Sequence, residues 1–385
     1  MARLRSRGAT VRFTSGSSSS SSNTISTISA ISAIPSEFRS KINVVLLTRE
    51  RTALGDDHVD LLPSLVLCLQ TGGHAYHLHH PETLTTRGIA VALGRGATAP
   101  LHAMPELWTL LTLGTLRAMP RVMRLMREEV DGWPTYHADR VGHSELVTGR
   151  LLHGRVVALM GTGRHGARVA RVARVFGAIV VGWDREKGMA SLDAMPVDAS
   201  PVTAEERTAI LAKYGVRLDE EDDGGDVPRL PIDDLLRVAD VLSIHLRLSD
   251  ESRGLVDARV FDRMRPGSIL INTARGAIVK EADLVAALQR AVAEPLRATV
   301  VGAGLDVFEV EPLPATSPLR TLDNVMLSPH IGWVTDEVFA NFAELAARQL
   351  EAFVQRTELS SIHWLNPEAL ETEAHAAKCA KMFSK

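Results

Sequence analysis

Apolar residues in this chain follow two patterns. From Arg155 to about residue 330, short, largely apolar runs alternate with longer stretches of helical spacing. The runs are Val156–Met160, Ile179–Trp183, Val241–Leu246, Ser268–Asn272, Val300–Leu305 and Val325–Leu327. Runs without polar alternation suit strands buried on both faces, as in parallel sheets. Helices are predicted between them at 164–177, 203–214, 232–238 and 281–292. Strand and helix alternating in this way predict a doubly wound parallel sheet.

Outside that stretch the pattern is sparser. Ile42–Leu47 reads as a buried strand, and residues 56–70 as a short helix followed by a second strand, VLCLQ. Residues 105–130 carry helical spacing through Leu110, Leu113, Leu116, Met123 and Met126, and Gly132, Pro134 and Gly142 then punctuate a crossover. A last helix is predicted over 335–354, with Thr335 as N-cap and Asp336 and Glu337 in its first turn. Its apolar stripe of Val338, Phe342, Leu345 and Phe353 needs something to pack on beyond the parallel sheet. Both chain ends are therefore expected to share one domain, residues 41–140 plus 335–370. Residues 141–334 form the second domain, and 371–385 a loose tail.

Composition narrows the classes of function. Over 385 residues the net charge is -3, which makes no electrostatic case for nucleic acid or an anionic membrane surface. No apolar run approaches the roughly 18 residues that span a bilayer. The two cysteines, Cys68 and Cys379, have the spacing of neither a disulfide framework nor a zinc site, so a reducing, cytoplasmic compartment is the default. Residues 1–40 differ: Arg3, Arg5, Arg7 and Arg12 precede the serine run Ser17–Ser22, and no acid appears before Glu37. That start resembles a mitochondrial transit peptide; the alternative is a disordered leader without an address. The acidic run at 219–226, DEEDDGGD, reads as a solvated loop.

Candidate chemistry begins at the first strand of the second domain. In RVVALMGTGRHGARVARVARVFGAIVVGWD, Gly161, Gly163 and Gly166 follow the strand in G-x-G-x-x-G spacing, and a helix opens directly. The first glycine permits a tight turn, the second lets backbone approach a pyrophosphate, and the third lets helix and strand pack closely. The pyrophosphate rests on free amides at the helix start, where Arg164 and His165 also fall. His165 is either exposed or in touch with that group. Asp184 closes the next strand, placed to accept from the adenosine ribose, and its charge repels a 2′-phosphate. NAD is thus favoured over NADP, and Arg185 beside it weakens the preference.

Three later segments each lie where a strand should end, the edge beyond which such sheets bind ligands. In SILINTARGAIV, Arg275 lies past the strand end, able to grip a carboxylate at two points. In GAGLDVFEVEPLP, Asp306 ends a strand and Glu311 precedes Pro312. In NVMLSPHIGW, His330 follows a strand and a proline. Histidine suits acid–base work on a carbonyl–alcohol couple, and a carboxylate on its other ring nitrogen fixes its tautomer. Glu311 can supply that carboxylate.

At these residues the sequence resembles the D-isomer-specific 2-hydroxyacid dehydrogenases. The matching stretches are GTGRHG, ADVLSIHLRLSDESRGLV, MRPGSILINTARGAIVKEADLVAALQ, GAGLDVFEVEPLP and NVMLSPHIGW. Weaker likeness at TRERTAL, LLPSLVLCLQTG, TTRGIAVALG, PEL and LNPEAL extends it over about 42–370. The implied fold is α/β: a doubly wound (Rossmann) dinucleotide domain inserted in a smaller flavodoxin-like α/β substrate domain. The resemblance further implies a homodimer, NAD as cofactor and a small 2-oxo or 2-hydroxy acid as substrate. It places Arg275 on the substrate carboxylate, His330 as proton donor with Glu311 as its partner, and Asp184 at the ribose. Asp306 and the Thr273–Ala274 backbone would meet the nicotinamide side. Related formate dehydrogenases carry glutamine where Glu311 stands, which argues against that branch.

Two departures stand out. The family begins with a strand–helix unit ahead of the segment matching Ile42–Leu47; here the Ser-rich leader occupies its place, which puts the completeness of the substrate domain in question. The loop QTGGHAYHLHH has His79 where the family usually has aspartate. His74, His77, His79 and His80 have the look of metal ligands, but the resemblance implies no metal there. Beside an active oxidoreductase, two alternatives remain open: an NAD(H)-binding scaffold of the corepressor kind, and an inactive remnant that binds NAD without turnover.

Overall fold

Runs rich in Val, Leu, Ile and Ala become strands with every residue buried: β2 (Leu67–Gln70), β3 (Ala90–Leu93), β4 (Val156–Met160), β5 (Ile179–Trp183), β6 (Val241–Ile244) and β7 (Ser268–Asn272). The remaining strands are β1 (Val44–Leu47), β8 (Val300–Leu305), β9 (Val325–Leu327) and β10 (His363–Trp364). A computed structural model describes residues 34–47, 54–72, 78, 80–95, 97–128, 149–184, 202–218, 225–294 and 297–383. The leader up to residue 33, His74, His77, His79, Arg185 and residues 219–224 of the acidic run lie outside the described residues.

The chain forms two compact units, one of residues up to Ala99 with those from Thr335 onward, the other of Pro100–Val334. In the first, β1, β2 and β3 run parallel in that order and β10 joins β3 antiparallel. β1 was expected to be buried. Among the described residues it pairs on one side only, with β2, and Leu46 is 44% exposed.

The helix Asp336–Gln355 covers this sheet. The Thr335 side chain caps it by accepting from the Val338 amide at 3.3 Å. Val338, Phe342, Ala346, Gln349 and Phe353 form the buried face, with Ala346 rather than Leu345 at its centre. The expected loose tail proves to be a helix, Glu373–Phe383. His375 and Cys379, one turn apart, are its buried residues. His375 Nδ1 lies 3.0 Å from the Gly88 carbonyl oxygen, and Lys378 donates to the carbonyls of Leu65 and Arg87. A Cβ on Gly88, which sits at φ +64°, would collide with the His375 backbone, so glycine lets the helix dock. Two buried side chains in a short polar stretch were too weak a periodic signal to predict this.

The second unit is a six-stranded parallel sheet in the order β5-β4-β6-β7-β8-β9. Helices cover both faces, and apolar side chains fill the core on each side. The predicted helices appear at Arg164–Val175, Ala204–Ala212, Ile232–Val238 and Glu281–Ala293. β6 stops at Ile244, before the predicted Leu246, and leaves His245 past the strand end. Helices Pro100–Leu116 and Met119–Glu128 were expected in the first domain but belong to this unit. Trp108, Leu111 and Leu116 face the core, while Leu110, Met123 and Met126 of the predicted stripe are exposed. Trp108 Nε1 donates to Ser243 Oγ of β6 at 2.8 Å. Helical spacing showed that a helix forms there, but not which sheet it covers. Among the described residues no helix is long and apolar enough to cross a membrane.

Candidate active site

The parallel strands of the second unit bring the predicted site residues to one edge, past their carboxyl ends. At β4 the turn is built as its spacing requires. Gly161 sits at φ +98°, and a Cβ there would come within 2.9 Å of the His245 carbonyl oxygen. A Cβ on Gly166 would strike the Gly161 carbonyl oxygen, so the third glycine lets the helix close on the strand. Gly163 is the N-cap of Arg164–Val175 and caps it with no side chain. A Cβ built on Gly163 meets nothing within 4 Å. Backbone can therefore approach a ligand closely at Gly163, and the turn at the helix start fits the pyrophosphate of a dinucleotide. Arg164 and His165 are exposed beside it.

Asp184 follows β5. Its Oδ1 accepts from the Thr162 amide at 2.7 Å; its Oδ2 accepts from Thr162 Oγ1 and, at 2.7 Å, from Arg229 Nε. Burial pushes this carboxyl up, but the Thr162 and Arg229 bonds outweigh it and hold the pKa below the ordinary carboxylate value. Sequence reading missed Thr162 and Arg229. Gly182 was the available signal, since a Cβ there would crowd Thr162 and come within 3.6 Å of an Arg229 guanidinium nitrogen.

Past β7 the chain makes the turn that carries Arg275. Asn272 holds both ends of it: its Oδ1 accepts from the Ala274 amide and its Nδ2 donates to the Arg275 carbonyl, each at 3.0 Å. Thr273 is buried within the turn. Arg275 Nη1 donates to the Ala274 carbonyl at 2.7 Å. A Cβ on Gly276 would overlap the Phe308 backbone, so glycine allows this turn to lie on the segment that leads to Glu311.

Glu311 and His330 come together, with His330 Nδ1 2.6 Å from Glu311 Oε2. The other oxygen, Oε1, accepts from the Phe308 amide at 2.9 Å. Burial acts to raise the Glu311 pKa; the His330 and Phe308 bonds, then the charges of His330 and Arg275, carry it below its ordinary value. Arg275 thus acts electrostatically on the same carboxylate.

His330 itself adopts φ 56°, in the left-handed region. Asp306 holds the chain on both sides of His330: it accepts from Ser328 Oγ at 2.6 Å, the Ile331 amide at 2.9 Å and the Gly332 amide at 3.0 Å. Such a conformation persists only where neighbouring bonds hold it. Burial drives the Asp306 pKa up, against those bonds. Asp306 was expected at the cofactor. It is 1% exposed, and the three donors on its carboxylate brace the histidine loop.

His245 lies under the glycine turn and was not singled out beforehand, although its motif was. Its Nε2 is 2.8 Å from Ser243 Oγ, which accepts from Trp108. Burial, helped by His165, pushes its pKa down to about 3, so the ring is neutral at physiological pH. In the loop after β2, His80 Nδ1 pairs with Asp56 at 3.1 Å, and among the described residues no group of three His, Cys, Asp or Glu is placed to hold a metal.

Comparison with known proteins agrees with this geometry. Residues 110–209 and 207–332 match the family described as D-isomer specific 2-hydroxyacid dehydrogenase, NAD binding domain. A glyoxylate reductase of Aeropyrum pernix is 34% identical over 275 residues, 71% of this chain and 69% of that protein. The crystal structure of TT0316 from Thermus thermophilus superposes with a TM-score of 0.68 at 27% identity, covering 93% of this chain and 94% of the other. D-Lactate dehydrogenase from Aquifex aeolicus, solved with NAD and lactic acid, shares the fold at a TM-score of 0.59 and 22% identity, over 84% and 86% of the two chains. A glycine turn open to a pyrophosphate, and a family match over the sheet that bears it, lead to one assignment: the chain belongs to the D-isomer-specific 2-hydroxyacid dehydrogenases and is an NAD-dependent oxidoreductase.

Proposed function

We propose that the protein interconverts a small 2-oxo acid and its D-2-hydroxy acid, with His330 as the acid–base group. The observation that carries this reading is the 2.6 Å pair between His330 Nδ1 and Glu311, with Arg275 acting on the same carboxylate. Because Nδ1 faces Glu311, Nε2 is the nitrogen left to hand a proton to the substrate oxygen. The Glu311 carboxylate stabilises the imidazolium that donates, and its Phe308 bond keeps it oriented. Arg275 takes the substrate carboxylate and so turns the 2-oxo carbon toward the cofactor. NAD, when bound, supplies and accepts the hydride. Gly161, Gly163, Gly166, Arg164 and His165 would hold its pyrophosphate, Asp184 its ribose, and the Thr273–Ala274 backbone its nicotinamide end.

Glyoxylate is the first substrate to test, since the Aeropyrum pernix relative is named for reducing it. The protein works as a homodimer on this reading, which sedimentation of the purified chain tests directly. For the reaction itself, NADH absorbance is followed with glyoxylate, hydroxypyruvate and pyruvate for the wild type and for Arg275→Ala. Oxidation of NADH by one of them, reduced by about 10²-fold or more in the variant, supports the reading. Tight NADH binding without turnover across the panel would turn the assignment toward a cofactor-binding scaffold.

A further inference from the structure

At the adenosine corner the carboxylate that discriminates against a 2′-phosphate is already paired. Asp184 Oδ2 carries both Thr162 Oγ1 and Arg229 Nε, while Oδ1, among the described residues, carries the Thr162 amide alone. Oδ1 therefore retains a lone pair for a ribose hydroxyl. Arg229 is held there by backbone as well as charge. Gly182 N donates to Pro228 O at 2.8 Å and Leu230 N to Gly182 O at 2.9 Å, a bridge that lays Arg229 along the end of β5. A second Arg229 nitrogen, Nη1, donates to the Val227 carbonyl. Its Nη2 has no hydrogen-bond partner among the described residues, and the side chain keeps 26% exposure.

We propose that Arg229 makes this corner tolerant of a 2′-phosphate, so that the protein binds NADPH as well as NADH. The inference rests on the glycine turn being the dinucleotide site. An unpaired aspartate repels a phosphate at close range, and the repulsion is large where water is partly excluded. Pairing with a permanent guanidinium cancels most of that field. The same guanidinium presents planar donors suited to phosphate oxygens, so a 2′-phosphate draws Arg229 partly off Asp184. NADH keeps Oδ1, and NADPH gains Arg229.

Fluorescence titration of NADH and NADPH into the substrate-free protein tests this without relying on turnover. The wild type is expected to bind NADPH no more than about tenfold more weakly than NADH, a difference of about 1.4 kcal/mol. Arg229→Gln should weaken NADPH by about tenfold or more relative to NADH. A wider gap in the wild type, or a smaller relative shift in the variant, overturns the proposal. If Arg229→Gln is insoluble, Asp184→Asn serves instead. Removing the carboxylate frees Arg229 and should move the ratio about tenfold toward NADPH, and an unmoved ratio overturns the proposal equally. Failure of the wild type to bind either nucleotide is a different result, since it removes the dinucleotide reading on which this one stands.

Discussion

Two corners of the same sheet edge use one device for opposite ends. At the corner proposed for the adenosine, Asp184 is held ionised by Thr162 and Arg229; at the corner proposed to be catalytic, Glu311 is held ionised by the Phe308 amide and His330. Both carboxylates lie below their ordinary pKa despite burial that works the other way. The partners differ. Arginine keeps its proton throughout the accessible range, so the first pair is a fixed electrostatic feature that sorts ligands. Histidine can both give and take a proton, so on the proposed reading the second pair moves one in each turnover. On this reading, the base that partners each carboxylate decides whether the pair recognises or reacts.

The comparison breaks most sharply at His330. His330→Asn is expected to lower kcat by about 10²–10⁴-fold while NADH affinity changes by no more than about twofold. Stopped-flow turnover beside fluorescence titration separates the two effects, and a parallel loss of NADH binding would mean that the histidine supports the cofactor site instead.

Gly276→Ala comes next. Its Cβ would overlap the Phe308 backbone, so the Arg275 turn and the Glu311 segment must part. We expect a stability loss of about 1–3 kcal/mol with a raised KM for the oxo acid. Unchanged chemical denaturation would show that the two segments are free to separate.

Smaller in effect is Asp184→Asn, which should weaken NADH by about tenfold and leave kcat at saturating cofactor within about twofold, by calorimetry and initial rates. A large fall in kcat would erase the distinction drawn between the corners.

The smallest effect is one of pH. The Glu311 pKa is depressed in the folded protein, so its contribution to stability is complete above the unfolded value and fades as pH falls through the folded one. The melting temperatures of wild type and Glu311→Gln should therefore differ near neutrality and converge in acid. A gap that widens on acidification would reverse the sign.

How much of this was legible follows from how local each signal is. β4, β5, β7, β8 and β9 were readable to the residue because each is a short apolar run closed by a turn. Arg275, Glu311 and His330 were readable because each falls just past such a run, and the sheet topology sends every parallel strand end to one edge. The helix Pro100–Leu116 was legible as a helix yet misassigned to a domain. Its buried face holds Trp108 and Leu111, and nothing in its spacing names the sheet they meet. The helix Glu373–Phe383 was missed because His375 is buried by contacts with Gly88 and Phe353, far away in sequence, and Cys379 lies against His375.

The alternation of strands and helices from Arg155 onward, the glycine turn and the identities of the candidate reacting groups belong to the sequence alone, since they depend on neighbours within a few residues. Tertiary structure decided which groups pair. It gave Asp184 to Arg229, turned Asp306 inward to brace the histidine loop, and set Glu311 against His330. Those outcomes depend on which strand ends lie side by side, and on glycines whose missing side chains let distant backbone segments touch.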